Sequence, residues 1–118
     1  MSEKVAELEP QEVRALLEGG EAVLIDVREP DEYAVERIHG ALLYPMSTFD
    51  ATRLPLDESR RVVFQCASGR RSLDAGYKRL ATGQPAAHMA GGIKAWKAAG
   101  LPVVHIEPGT GRIIDTGG

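Results

Sequence analysis

The hydrophobic positions of this chain fall into two patterns that alternate along its length. Short apolar runs bounded by charged residues, glycine or proline are typical of buried strands. Runs of this kind predict strands at residues 22 to about 27, 41–44 and 62–65, and a weaker run predicts a fourth at 85–89. Pro45 ends the second strand, because proline has no N–H to donate to a neighbouring strand.

Between these runs the apolar residues recur three and four positions apart, which predicts helices. Helices are expected at residues 10–18, 30–37 and 72 to about 81, and from Gly91-Gly92 to Gly100. Pro10 lies in the first turn of the first helix and Gly19-Gly20 ends it, as is common at helix boundaries. The alternation of short strands and helices favours an α/β fold with a largely parallel sheet covered by helices on both faces.

Composition narrows the class of protein. The chain has 118 residues, of which 43% are hydrophobic and 26% charged, as expected for one globular domain. A net charge of −3 predicts no general attraction to nucleic acid or to anionic membranes. The acidic start is unlike a secretory signal, and the longest uncharged apolar stretch, residues 40–46, is too short to span a bilayer. One cysteine excludes an internal disulfide and fits a cytoplasmic location.

The chain divides into a domain and a short tail. Residues 1–106 are predicted to form the single domain, and residues 107–118, with four glycines and a proline, form a Gly-rich C-terminal tail. The tail is either a mobile end or a strap packed by Ile113 and Ile114, and the sequence leaves both open.

The candidate chemistry lies at Cys66, which directly follows the predicted strand at 62–65. In parallel sheets ligands bind outside the carboxyl ends of the strands. The helix that begins at or near Ser72 presents N–H groups without internal partners and the positive end of its dipole. Arg70 and Arg71 add positive charge beside the sulfur. These conditions lower the pKa of a cysteine and make its sulfur reactive.

Two compatible interpretations apply to the small residues Ala67, Ser68 and Gly69. They can form a simple turn, and their short side chains can leave N–H groups free to converge on the sulfur as an anion-binding nest. Asp26 and Arg28 lie two positions apart at a strand end and so point to the same side. A structural ion pair that braces the site is favoured for them over direct catalysis.

Other kinds of site find little support in the sequence. His39, His88 and His105 are scattered over different predicted elements without the spacing of metal ligands, so no metal is expected. The chain has no glycine-rich phosphate loop of the nucleotide-binding types, and no cofactor is expected.

Three motifs together resemble single-domain rhodaneses. Residues 66–72, Cys-Ala-Ser-Gly-Arg-Arg-Ser, resemble the active-site loop of that family, which runs Cys-x-x-Gly-x-Arg-Ser. The early signature of the family resembles residues 24–33 leading into 38–41, and the late one resembles 91–96 followed by 100–103. The resemblance extends over residues 9–104, with the motifs in the family's order and spacing. Where the family usually has Gly-His, this chain has Glu36-Arg37, a change that bears on donor preference more than on catalysis.

The resemblance implies a five-stranded, mostly parallel sheet with helices on both faces, and sulfane-sulfur transfer through a persulfide on Cys66. It implies that Cys66 is catalytic and that the loop holds the substrate. The substrate-binding residues are then Ala67, Ser68, Gly69, Arg70, Arg71 and Ser72. Arg71 matches the loop arginine of the family and would organise the loop or steer an anionic donor. Arg70 matches a variable position and is as consistent with a solvated charge as with a donor contact.

The expected function is that of a sulfurtransferase, which moves a sulfane sulfur from thiosulfate or a persulfide to a thiol or cyanide. Without a second cysteine the persulfide cannot resolve within the chain, so the acceptor must be an external thiol, cyanide or an acceptor protein. A sulfur-carrier or protein-interaction module is the first alternative. A cysteine phosphatase or arsenate reductase is less favoured, because those enzymes have arginine six residues after the cysteine, where this chain has Ser72.

Overall fold

The computed structural model describes residues 4–54, 59–107 and 109–116. The strands are β1 Ala6–Leu8, β2 Ala22–Asp26, β3 Glu36–Arg37, β4 Leu42–Leu43, β5 Arg61–Gln65, β6 Ala87–Met89, β7 Val103–Ile106 and β8 Ile113–Thr116. The helices are α1 Pro10–Glu18, α2 Pro30–Val35, α3 Arg70–Leu80 and α4 Gly92–Ala98, with a short 3₁₀ turn at Met46–Thr48.

Five strands form one parallel sheet in the order β1-β6-β5-β2-β4. Its two faces carry separate apolar clusters, because successive side chains of a strand point to opposite sides. Val63 of β5 belongs to the cluster that includes Val13 of α1 and Trp96 of α4. Phe64 belongs to the other cluster, with Ala75 of α3. The predicted sheet with helices on both faces is therefore confirmed.

The second predicted helix is too long. It was expected at residues 30–37, but α2 ends at Val35 and Glu36–Arg37 form β3, antiparallel to β7. The Arg28 guanidinium donates a hydrogen bond to the Glu36 carbonyl oxygen at 2.6 Å, which holds this segment extended against the end of β2. The chain therefore leaves the helix two residues earlier than its sequence pattern indicates.

The helix expected from Ser72 begins earlier. Gly69 is the residue before α3, with φ at +102°, and the helix starts at Arg70. A left-handed backbone of this kind is readily adopted only by glycine. The two arginines consequently lie in the first turn of α3, and Ser72 lies inside that turn with its side chain buried.

A smaller antiparallel sheet of order β3-β7-β8 accompanies the main one. Its β7–β8 pair joins residues 103–106 to residues 113–116, so part of the predicted tail is a strand. Ile113 is 65% exposed and does not form the apolar strap that the sequence allowed. Residues 108, 117 and 118 of the tail, and residues 1–3 and 55–58 of the predicted domain, lie outside the described residues.

The start of α4 packs directly on the segment that carries Cys66. The Ile93 N–H donates to the Cys66 carbonyl oxygen at 2.8 Å, and the Lys94 N–H donates to the Ala67 carbonyl oxygen at 3.1 Å. This approach requires a residue without a side chain at Gly92, where an added Cβ would lie 2.6 Å from the Ala67 carbonyl carbon. The Gly-Gly motif of the sequence therefore anchors the cysteine segment to α4.

Replacing Gly92 by alanine tests this anchor against Gly20→Ala as a matched control. Gly92 and Gly20 have similar positive φ, +64° and +68°, but the space around Gly20 is open. Both variants carry the left-handed penalty of about 1–2 kcal/mol. Only Gly92→Ala also collides with the cysteine segment, so we expect it to lose roughly 1–3 kcal/mol more in urea unfolding. Equal losses in the two variants would contradict the proposed anchor.

Candidate active site

The Cys66 sulfur lies in the junction between β5 and α3 and is held by groups of its own loop. Cys66 is 1% exposed. Its Sγ accepts the backbone N–H of Gly69 at 3.1 Å and that of Ser72 at 3.3 Å. The Ser72 hydroxyl oxygen lies 3.6 Å from the same sulfur. The loop thus forms a compact cradle around one atom, in which Gly69 is a donor of the nest expected from residues 67–69 and Ser72 is an additional one.

Burial and hydrogen bonding act on the Cys66 thiol in opposite directions. Burial raises the pKa, because a thiolate away from water is unfavourable. Hydrogen bonds from the Ser72 backbone and hydroxyl, and from the Gly69 and Ser68 backbone, lower it by more, so the pKa of Cys66 lies below its ordinary value. The direction agrees with the one expected from the sequence, but its main cause is hydrogen bonding rather than the neighbouring arginines.

Arg71 forms an ion pair with Glu32, a contact that the sequence did not predict. Its guanidinium donates to both carboxylate oxygens of Glu32 in α2, at 2.7 and 2.9 Å. Glu32 also accepts the backbone N–H of Glu29 at 3.0 Å. The Arg71 hydrogen bond is the largest influence on Glu32 and lowers its pKa from 4.5 to about 2. The pair thus ties the first turn of α3 to the first turn of α2.

The other loop residues lie at the surface around the buried sulfur. Ser68 and Arg70 are exposed and Ala67 is half-buried. Arg70 and Arg71 border a shallow depression together with Leu73, Asp74 and the half-exposed Tyr77. The structure therefore brings all the predicted loop residues together, with the sulfur buried beneath the loop and Arg70 exposed at the surface.

Asp26 and Arg28 form the ion pair that their spacing predicted. Arg28 Nη2 lies 2.8 Å from Asp26 Oδ2, and both side chains are buried. Arg28 Nε donates to the same carboxylate at 3.0 and 3.1 Å. Asp26 pairs in register with Gln65, the residue before Cys66, so the ion pair lies beside the end of β5. Removing one partner of such a buried pair would leave the other charge uncompensated.

His88 in β6 is a further residue that the sequence analysis did not assign to the site. It is 2% exposed, and its Nδ1 lies 2.8 Å from the Ser72 hydroxyl that contacts the Cys66 sulfur. Its place in the weakly predicted strand gave no signal of this contact, because Ser72 lies on another element. Among the described residues, no three or more histidine, cysteine or acidic side chains are grouped to hold a metal ion.

The Glu32–Arg71 pair should leave a signature in the pH dependence of stability. A lowered carboxyl pKa stabilises the fold fully above the unfolded value of 4.5, and this stabilisation is lost as the pH falls toward about 2. We expect Glu32→Gln to be less stable than the wild type near neutral pH, and to lose less stability between those two pH values. Urea unfolding across this range measures both effects.

The matched control is Glu18→Gln, which changes an exposed carboxylate paired with Arg14 four residues away in α1. Its unfolding free energy should follow the wild-type pH dependence. If Glu32→Gln keeps the full wild-type slope in acid, the Glu32–Arg71 pair does not link α2 to α3 in solution.

Comparison with known proteins places this site in a family. A family model described as the Rhodanese-like domain matches residues 9–99. An uncharacterized protein of Synechocystis is 36% identical over 96 residues, which cover 80% of this chain and 54% of that protein. The chain thus spans about half the length of this relative. A protein of Allochromatium vinosum named Sulfurtransferase is 35% identical over 94 residues, covering 74% of this chain and 82% of that one.

A solved structure supports the same assignment. The thiosulfate sulfurtransferase from Pseudomonas aeruginosa superposes with a TM-score of 0.77 at 33% identity, covering 86% of this chain and 20% of that one. None of the helices in the described residues is long and apolar enough to cross a membrane. The match over residues 9–99, the parallel sheet and the cysteine cradle at the end of β5 agree, and the chain belongs to the rhodanese-like family.

Proposed function

We propose that this chain is a sulfurtransferase that carries a sulfane sulfur on Cys66, taking it from thiosulfate or a persulfide and passing it to a thiol or cyanide. The observation that carries the proposal is the cradle of backbone N–H groups, from Gly69 and Ser72, on the sulfur of Cys66. Such a cradle stabilises negative charge on a sulfur atom and needs little rearrangement during the reaction.

The first half of the reaction loads the enzyme. The Cys66 thiolate attacks the sulfane sulfur of the donor, and a new S–S bond forms while the donor's own bond to that sulfur breaks. The electron pair of the broken bond leaves with sulfite or with the donor thiolate. The outer sulfur of the resulting persulfide carries the negative charge, and the open side of the loop at Ala67 and Ser68 is where it would extend.

In the second half of the reaction, the sulfur passes from the enzyme to the acceptor. A thiolate or cyanide attacks the outer sulfur, and Cys66 leaves as a thiolate that the Gly69 and Ser72 N–H groups again stabilise. The same hydrogen bonds therefore serve a nucleophile in one step and a leaving group in the next. Because Cys66 is the only cysteine, the acceptor is a separate molecule. A free thiolate favours a reducing compartment, and we propose the cytoplasm.

The arginine geometry disfavours phosphatase or arsenate reductase chemistry. Those reactions need N–H groups and an arginine directed at a tetrahedral oxyanion. Here Ser72 occupies the position six residues after Cys66, and its buried side chain contacts the sulfur. Arg71 is held by Glu32 in a two-pronged pair. We propose that exposed Arg70 attracts an anionic donor and that Arg71 mainly organises the loop.

Mass spectrometry of the intact chain after incubation with thiosulfate tests the proposal. The wild type should gain the mass of one sulfur atom, lose it with reductant, and release thiocyanate when cyanide is added. Cys66→Ser should fold normally by circular dichroism and gain nothing, because a hydroxyl cannot form the persulfide. In the same assay Arg70→Ala should load more slowly, with a weaker dependence on salt.

Three outcomes separate the candidate functions. Repeated turnover with thiosulfate and cyanide supports the enzyme. A persulfide that forms but discharges only onto a protein thiol supports the sulfur-carrier module instead. A wild-type chain that gains no sulfur from thiosulfate or from a small persulfide, while Cys66 remains reduced, contradicts both.

A further inference from the structure

A row of polar side chains connects the buried sulfur of Cys66 to the solvent. The Ser72 hydroxyl lies 3.6 Å from the sulfur and 2.8 Å from His88 Nδ1. His88 Nε2 lies 3.2 Å from Glu7 Oε2. Cys66, Ser72 and His88 are buried, whereas the Glu7 side chain is 67% exposed. The row therefore begins at the reactive atom and ends at the protein surface.

The sheet itself builds this row. Strand β6 lies between β1 and β5, and His88 pairs in register with Glu7 on one side and with Phe64 on the other. Helix α3 places Ser72 beside the imidazole. The His88 ring packs close to Gly69, since an added Cβ there would meet His88 Cε1 in ordinary contact at 3.8 Å. Three elements of the fold thus determine the position of one imidazole.

A structural role explains only part of this arrangement. A buried imidazole needs hydrogen-bond partners for both nitrogens, and Ser72 and Glu7 supply them. If the two ring nitrogens needed only hydrogen-bond partners, any donor and any acceptor could supply them. Here one partner contacts the reactive sulfur and the other is a carboxylate at the surface, an order suited to moving a proton.

We propose that Ser72, His88 and Glu7 form a proton relay that takes the proton of the Cys66 thiol and holds it on the imidazole while the sulfur is a thiolate. The inference rests on the proposed function in taking Cys66 as the nucleophile. Ser72 contacts the sulfur and exchanges the proton with it directly, whereas His88 and Glu7 act through Ser72.

The step conserves protons and electrons. The S–H bond of Cys66 breaks as its proton passes to the Ser72 oxygen, and the original Ser72 proton passes to His88 Nδ1. The products are a thiolate, a neutral serine and an imidazolium whose Nε2–H donates to the Glu7 carboxylate. No group is oxidised or reduced. The reverse transfer returns the proton to the sulfur.

The groups around His88 agree with this direction of transfer. Glu7 on β1 is the carboxylate that faces the ring, with its Oε2 3.2 Å from His88 Nε2. The Cys66 thiol is connected to the His88 ring through the Ser72 hydroxyl. The residue of β5 that pairs in register with His88 is Phe64, which carries no charge. From α3, Arg71 is directed at Glu32. The Ser72 hydroxyl lies 3.1 Å from the Gly69 carbonyl oxygen as well, and can rotate to either acceptor.

The rate at which iodoacetamide alkylates Cys66 across a pH series tests the relay, with His88→Asn as the main variant. Asparagine can still hydrogen-bond Ser72 from the position of Nδ1, but it cannot take up a proton. We expect the midpoint of the alkylation profile to rise by about one pH unit, so that alkylation slows about tenfold at a fixed pH below the midpoint. Glu7→Gln, at the exposed end, should raise the midpoint by a smaller amount.

The matched control is His105→Asn, in β7, which changes a half-buried histidine outside this row and should leave the midpoint unchanged. If His88→Asn and Glu7→Gln both keep the wild-type midpoint, the relay is wrong and His88 is only a packed core residue. A loss of thermal stability in His88→Asn without a change in midpoint leads to the same conclusion.

Nitrogen-15 NMR of the wild-type histidines provides a test that needs no folded His88 variant. The His88 ring should be protonated on both nitrogens in the pH range where Cys66 is a thiolate, and this range should narrow in Cys66→Ser. A neutral ring throughout that range overturns the relay. Alkylation and NMR need no sulfur donor, so the two proposals can fail separately. A chain that gains no sulfur from thiosulfate but shows these shifts would contradict the proposed function and support the relay.

Discussion

Backbone N–H groups directed at one buried sulfur atom are the interaction on which the rest of this structure depends. A thiolate as deeply buried as Cys66 is unfavourable by itself, because a low-dielectric environment raises its pKa. The hydrogen bonds from Gly69 and Ser72 reverse that effect. They depend on the left-handed conformation of Gly69, which starts α3 at the next residue, Arg70. Cys66 is thus both the centre of this hydrogen-bonded loop and a buried member of the apolar core.

The surrounding contacts keep this cradle in place. On one side, α4 holds the carbonyl groups of Cys66 and Ala67 through the Ile93 and Lys94 N–H groups. On the other, Arg71 joins the start of α3 to Glu32 in α2. These contacts fix the backbone from which the N–H groups point. In the proposed reaction, a cradle fixed before the donor arrives would require little reorganisation when charge shifts along the S–S bond.

The sequence predicted those parts of the fold and site that are local. Buried runs such as residues 62–65 can be recognised because they are apolar throughout, and Cys66 is placed by the strand before it and the helix after it. The pairing of β3 with β7 could not be predicted, because β3 has only two polar residues and its partner strand lies far along the chain. Glu32 and Arg71 are 39 positions apart, and Glu7 and His88 are 81 apart. Such contacts exist only once the sheet has formed.

The central claim is that hydrogen bonds from the loop stabilise the Cys66 thiolate. The most direct test is to measure the pH midpoint of Cys66 alkylation in the wild type at low and at high salt. An ordinary thiol has a pKa of about 8.5. Hydrogen bonds from buried N–H groups are little screened by ions, whereas exposed arginine charges are screened strongly. The account predicts a midpoint below the ordinary value that hardly moves with salt. A midpoint at or above it, or one that rises toward it as salt is added, would contradict the account.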